Sequence, residues 1–215
     1  MGEISSRPAS AADAAQIAGL IQAVAEAAGR RPSVSASDIA LEFAQPSWDP
    51  TVDSRVIEED GRLIAYGSLT PPAAGGTRVG ADEYVQAQRH GERRALLVWQ
   101  IERTNELHAA DSLGKPWSLI IEGSSEHAGS DELLEELGFE PIRHSFYMER
   151  STAARSPEVE APVGLVVRSY SSVDEPAVYQ VHNDAYADRW DLNLGPSTTG
   201  PEEWLTPPFG QTRAS

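Results

Sequence analysis

Residues 85–99 read VQAQRHGERRALLVW. A strand-like start gives way to a basic turn with one glycine, and the turn opens a helix with apolar residues. Three readings fit: a phosphate-binding loop, a worn remnant of one, or a charged corner between two elements. The first N–H groups of a helix have no intrahelical partner, and the helix dipole places about half a positive charge there. A strand–glycine–helix junction therefore holds a diphosphate without a metal. Gly91 lets the backbone approach an anion, and Arg89, Arg93 and Arg94 supply charge-assisted hydrogen bonds. Taken alone, a basic turn before a helix is usually a solvated corner, so the order of the surrounding elements decides.

Upstream, Ser10-Ala-Ala-Asp13 has the form of a capping box with Asp in the Glu/Gln place. Ile17, Leu20, Ile21, Val24 and Ala28 then follow one helix face, and Gly29 is a natural stop. A short helix is predicted at 37–44, with Ile39 and Phe43 inward. SRVIEEDGRLIAYGSLT (54–70) reads as a hairpin turned by Asp60-Gly61. PPAAGG (71–76) is a loop, and a third strand is predicted at 78–86. After the junction a helix is predicted from 93 to 109. PWSLIIEG (116–123) is the near-continuous apolar run of a buried strand. SDELLEELGFE (130–140) is a short helix ending at Gly138, and IRHSFYMER (142–150) is read as a closing strand. With a short strand before Ser10 the order is β-α-α-β-β-β-α-β-α-β, a mixed α/β layer.

The chain has 215 residues, with 40% hydrophobic and 23% charged, ordinary values for a soluble globular protein. Cysteine is absent, which excludes disulfides, thiolate metal sites and cysteine nucleophiles. The net charge of −16 makes nucleic acid and membrane poor partners, whereas a cationic substrate is steered favourably. The N-terminus lacks the basic and apolar regions of a signal peptide, and a cytoplasmic location is expected. The five histidines show no ligand spacing, so no metal is expected. Ser124, Ser125 and His127 lack a nucleophile elbow, and Trp99 reads as core.

Residues 151–163, rich in Ser, Pro, Ala and Glu, read as a linker. Arg168, Ser171 and Asp174 then stand 161 positions after Arg7, Ser10 and Asp13, and Val178 and Val181 fall where Ile17 and Leu20 fell. That shared offset points to an internal duplication: a first domain over 4–150 and a shortened second copy over 164–215.

The order of elements, the place of the basic loop within it, RRALLVWQIER (93–103) after it and the LGFE ending (137–140) together resemble the GNAT superfamily of acetyl-CoA-dependent N-acyltransferases. The second copy, with HNDAYADRW (182–190), resembles the start of a further repeat, as in tandem members of the mycothiol-synthase kind. The resemblance implies a GNAT-like, mixed and mostly antiparallel sheet flanked by helices, followed by a partial second repeat. It implies acetyl-CoA as co-substrate and a small-molecule amine as acceptor, and it leaves a homodimer open. The pantetheine arm would pair with the strand ending at Val85 and Gln86. The diphosphate would sit on Gln88-Arg89-His90-Gly91-Glu92-Arg93, with Arg94 beside it. The last small position of the family's loop is here Arg93, which either obstructs the anion or pairs with it, and Glu92 puts a carboxylate next to it. Glu83 stands where a catalytic base is expected. The family's acid, a tyrosine on the short helix, is replaced by Leu134. The alternative is a catalytically inactive domain with a structural or acetyl-CoA-sensing role.

Overall fold

The chain enters through β1 (Ile4–Arg7) and is turned into α1 (Ala14–Ala27) by one ion pair, in a computed structural model that describes residues 2–30, 34–45, 48–72, 76–111, 114–122, 130–144, 146, 148, 150, 151, 153 and 162–186. Arg7 donates to both carboxylate oxygens of Asp13 at 2.8 and 2.7 Å. Asp13 in turn accepts from the Ser10 N–H at 2.8 Å, which closes the predicted capping box. Arg7 also reaches Glu58 on β2 (Ser54–Glu59), so the same guanidinium ties the helix entry to the sheet. Asp13 is buried, and its carboxyl is pulled down to about 2, chiefly by the Arg7 hydrogen bonds.

The sheet is ordered β1-β2-β3-β4-β5, with β3 at Arg62–Thr70, β4 at Arg78–Val85 and β5 at Ser118–Ile121. The first three pairings are antiparallel and the last is parallel. The Asp60-Gly61 turn has positive φ at both residues, 51° and 77°, as a two-residue hairpin turn matching strand twist requires. An irregularity between Ile57 and Glu58 inserts Ile64 into β3, so Ile64 and Ala65 both face the same side.

Each sheet face carries its own core. On one side α1 and α2 (Ala36–Phe43) bury Ile17, Leu20, Ile21 and Ile39 against Val56, Leu63 and Tyr66. On the other, α4 (His90–Ala110) lays Leu96 and Trp99 on Ile57, Ala65, Leu69, Val79 and Ala81. Gly67 lets α4 come close: a Cβ there would stand 3.3 Å from Leu96 and 3.4 Å from Gln100. The buried Gln100 side chain donates to the Ser68 and Asp82 carbonyls at 3.1 and 2.9 Å, pinning α4 over the β3–β4 ladder.

Three expectations change. A short helix α3 (Pro50–Asp53) stands where none was predicted; Asp49 caps it by accepting from the Thr51 N–H at 2.9 Å, and Pro50 opens it. The closing strand expected at 142–150 is absent among the described residues, where Ile142, Phe146 and Met148 are exposed; positions 145, 147 and 149 lie outside them. β5 is only four residues long, so its outer edge offers little ladder for a further strand. Helix α4 begins at His90 rather than Arg93, because Gln88 takes the positive φ of 64° that closes the turn and a glycine in a first helical turn is tolerated. α5 (Ser130–Glu136) ends as expected at Gly138, whose φ is 85°.

Beyond residue 162 the N-terminal device recurs. Arg168 donates to both Asp174 oxygens at 2.5 Å, and the Ser171 N–H donates to Asp174 at 3.1 Å before α6 (Glu175–Tyr186). Among the described residues Arg168 has no counterpart of the Arg7–Glu58 contact, and Val178 and Val181 are exposed, unlike the buried Ile17 and Leu20. Replacing Asp13 by Ala is expected to cost roughly 2 kcal/mol by urea unfolding. The loss should vanish as pH falls from about 4 to about 2, since the depressed carboxyl contributes only above that window. Asp174→Ala should leave the unfolding midpoint unchanged.

Candidate functional site at the β4–β5 cleft

β4 is paired with β3 along its length, but with β5 only from Arg78↔Ser118 to Ala81↔Ile121. The Gln86 N–H donates to the Ile64 carbonyl at 3.0 Å, which makes 86/64 a hydrogen-bonded pair of the antiparallel ladder. Such pairs alternate, so Asp82 and Tyr84 also turn their backbone groups toward β3, while Glu83 and Val85 turn theirs to the opposite edge. β5 has left that edge by then. Among the described residues no backbone hydrogen bond reaches Glu83 or Val85 from that side. The free edge runs into the turn Gln86-Ala87-Gln88-Arg89, closed by the Arg89 N–H on the Gln86 carbonyl at 3.3 Å, and then into the N-terminus of α4. Gly91 lies in the first helical turn with nothing within 4 Å of its would-be Cβ, so the backbone there is open.

The side chains expected to bind and catalyse are placed differently. Glu83 points beneath α4, where its Oε1 accepts from Arg93 Nε at 2.7 Å and from the same guanidinium's Nη2. Its side chain is 9% exposed and its Oε2 makes no hydrogen bond. Glu83, expected as the base, is thus paired with Arg93 beneath α4 and would act on a substrate only after parting from it. Arg93 is spent on that pair. Arg89 is held by Glu59 on β2 and by Glu92 at 3.3 Å, and Arg94 by Glu136 on α5. Gln88 shapes the turn, and Gln86 is the last ladder residue. The junction thus brings the predicted residues together, with its three arginines already engaged.

The carboxylate of β4 that faces the α1–α2 side is Asp82, one residue earlier. Tyr84 shares that face, and its ring stacks on Tyr66 with centroids 6.4 Å apart and planes 11° apart. Tyr66 is 1% exposed, with the Ser68 side chain beside its hydroxyl. Glu42 of α2 and Glu122, which follows β5, complete the group. Loss of water pushes the Glu42 carboxyl up to about 7, with repulsion from Asp82 adding to it. Asp82 is exposed as a residue, yet loss of water around its carboxyl raises it too, with repulsion from Glu122 adding to it. Burial raises both tyrosine hydroxyls, so they keep their protons. Sequence reading missed Asp82, Tyr84, Tyr66, Glu42 and Glu122; the parity of β4 was the available clue. Among the described residues no group of acidic or histidine side chains has metal-binding spacing, and no helix is long and apolar enough to cross a membrane. Ser124, Ser125 and His127 lie outside the described residues.

No protein-family model and no curated protein matches the sequence. Solved structures do. A GCN5-related N-acetyltransferase from Sphaerobacter thermophilus matches with a TM-score of 0.70 and 21% identity over 94% of this chain and 62% of that one. The chain therefore spans less than two thirds of that protein's length. The ribosomal-protein-S18-alanine N-acetyltransferase of Escherichia coli matches at 0.49, with 18% identity over 66% of this chain and 80% of that one. Diaminobutyrate acetyltransferase from Paenibacillus lautus, in complex with its substrate and coenzyme A, matches at 0.45, with 14% identity over 64% and 75%. The first alone carries the assignment: this chain has the GCN5-related N-acetyltransferase fold.

Glu42→Gln tests the electrostatics of the cleft. A carboxyl whose pKa is raised on folding favours the fold below its ordinary value and loses that contribution as pH rises through about 7. The substitution should therefore stabilise the protein by roughly 1–2 kcal/mol at pH 8 and leave it unchanged at pH 4, read by urea unfolding at both. Equal midpoints at pH 8 would mean that Glu42 is well solvated.

Proposed function

We propose that this chain is an acetyl-CoA-dependent N-acetyltransferase acting on a small-molecule amine. The observation that carries the reading is the β4 edge at Glu83 and Val85, left unpaired where β5 departs and continuous with the open N-terminus of α4. A pantetheine arm, with its amide groups, is what such an edge would accept as an added strand. The N–H groups of His90, Gly91 and Glu92 would face the diphosphate. The backbone fits the coenzyme; the arginine side chains fit it only after exchanging partners. The coenzyme would supply an activated thioester.

On the α1–α2 face an amine arrives protonated and must lose a proton before attack. Glu42, with a carboxyl near 7, takes that proton at neutral pH, and Asp82 beside it holds the ammonium. The Tyr84 hydroxyl remains protonated and donates a hydrogen bond in the cleft. Leu134 leaves the short helix without a proton donor. The repeated Arg–Asp device at residues 168–174 supports a two-repeat organisation with residues 164–215 as the start of a second copy. A cytoplasmic enzyme fits the acidic, cysteine-free composition.

A second reading has its own observation: Arg89, Arg93 and Arg94 are each held by a carboxylate, and Glu92 stands where a phosphate would lie. On that reading the domain is catalytically inactive and has a structural or acetyl-CoA-sensing role. Calorimetric titration with acetyl-CoA separates the two. Binding is expected in the wild type, and Glu92→Gln should tighten it about fivefold to tenfold by removing a like charge and one of the two partners of Arg89. No heat at millimolar coenzyme in either protein would rule out the coenzyme site. Binding without thiol release in the presence of amines would favour the sensing role.

A further inference from the structure

The far half of α4 walls a hollow that lies apart from the coenzyme groove. Trp99, Glu102, Arg103 and Glu106 fall at i, i+3, i+4 and i+7, which makes them one stripe of the helix. With Val52 of α3 and Arg55 of β2 they line a cavity of about 280 Å³. Trp99 stands two turns beyond Gly91, about 12 Å along the helix axis. The acyl-transfer reading uses none of these side chains.

Arg55 is the unanswered group in this hollow. Its partner across the β2–β3 ladder is Gly67, which has no side chain to offer. Its guanidinium lies over the Trp99 ring, 5.3 Å from the centroid, so the ring supports one face and leaves the N–H edges to another partner. Among the described residues Arg55 forms no ion pair, and its Nε is shielded from water without a hydrogen-bond partner. A buried donor without an acceptor is costly, and a guanidinium edge is shaped for a carboxylate held through two N–H groups. The cavity's other arginine is engaged: Arg103 donates through Nε to Asp53 and through Nη1 to Glu106, each at 3.1 Å. Glu102 lines the same cavity and, among the described residues, forms no ion pair. One positive and one negative group are thus left open side by side in one hollow.

We propose that this cavity between α3 and α4 binds a small amino acid, its carboxylate on Arg55 and its ammonium toward Glu102. A plain anion would meet Glu102, Glu106 and the chain's net charge of −16. A plain amine would leave Arg55 without its acceptor. A zwitterion answers both groups and adds no net charge. Val52 and the Trp99 ring offer apolar contact to a short side chain. The cavity lies at the small end of ligand sites, which run from roughly 300 to 1,000 Å³, so a large side chain is disfavoured. The site stands whether or not the coenzyme groove does, because the two share no residue.

The test titrates the full ¹⁵N-labelled chain with L-alanine, and with propanoate and ethylamine as its single-charge counterparts. The Arg55 Nε–H and Trp99 indole N–H signals report on the site, and Arg55→Lys identifies the former by removing it. Alanine should move both signals saturably and bind about tenfold or more tighter than either counterpart. Arg55→Lys keeps the charge but loses the Nε–H edge, and should weaken alanine about tenfold, read at Trp99. Glu102→Gln, at an exposed position, should bring alanine and propanoate within about threefold of each other. Glu140→Gln, an exposed carboxylate elsewhere, should change nothing. No saturable movement at about 100 mM alanine overturns the proposal. Propanoate binding as tightly as alanine overturns it in favour of a plain anion site, and unchanged affinity in Arg55→Lys overturns the seat on Arg55. Loss of coenzyme binding in a separate titration, with alanine binding intact, removes the acetyl-transfer reading and leaves this site standing.

Discussion

The parallel ladder between β4 and β5 stops at the Ala81–Ile121 pair, and the character of the site depends on where it stops. Two pairs fewer and Ala81 too would have a free outer edge; two more and Glu83 would spend its outward N–H and C=O on β5. As it stands, β4 runs on for Asp82–Val85 with one edge bound to β3 and the other free. An unpaired strand edge is normally a liability that proteins cover or blunt. Here the edge is short, twisted beneath α4, and leads directly to the unpartnered N–H groups of that helix. Backbone geometry alone builds a groove that wants amide partners along its length and an anion at its end.

Side chains then divide the two faces of β4 between different tasks. Alternation sends Glu83 under α4, where Arg93 neutralises it and the pair helps seat the helix. The same alternation sends Asp82 and Tyr84 to the α1–α2 side, where among the described residues Asp82 makes no ion pair. One strand thus carries a structural ion pair on one face and an unpaired carboxylate beside a stacked tyrosine pair on the other. The loop chemistry is more conflicted. Its arginines are those a diphosphate needs, yet Glu59, Glu83 and Glu136 hold them in its absence. On the proposed coenzyme-binding reading, affinity reflects the difference between two sets of charge pairs.

Much of the fold was legible because local chemistry decided it. Asp60-Gly61 could make only a tight hairpin turn, Ser10 and Asp13 announced a capped helix, and the 3.6-residue spacing from Ile17 to Val24 named the buried face of α1. The Arg–Asp device at residues 7–13 and 168–174 was visible as a shared offset. The site was less legible, for reasons of distance and parity. Whether Glu83 or Asp82 faces the cleft turns on a single residue of register, which the mixed composition of β4 does not betray. Glu59 and Arg89 stand 30 positions apart, and no local pattern joins them. Glu42, Asp82 and Glu122 meet only once three elements are packed. The run at 142–150 had the alternation of a strand but no ladder partner in the described sheet. α4 starts three residues before the predicted position because Gln88 closes the turn and a helix accepts glycine in its first turn.

The central claim is that the free edge of β4 and the N-terminus of α4 form one continuous coenzyme groove. Amide hydrogen exchange with and without saturating acetyl-CoA tests it most directly. The account predicts slowed exchange at the outward Glu83 and Val85 amides and at His90, Gly91 and Glu92, with the inward Asp82 and Tyr84 amides unchanged because β3 already holds them. Protection confined to the α1–α2 side, or no change at Glu83 and Val85, would contradict it.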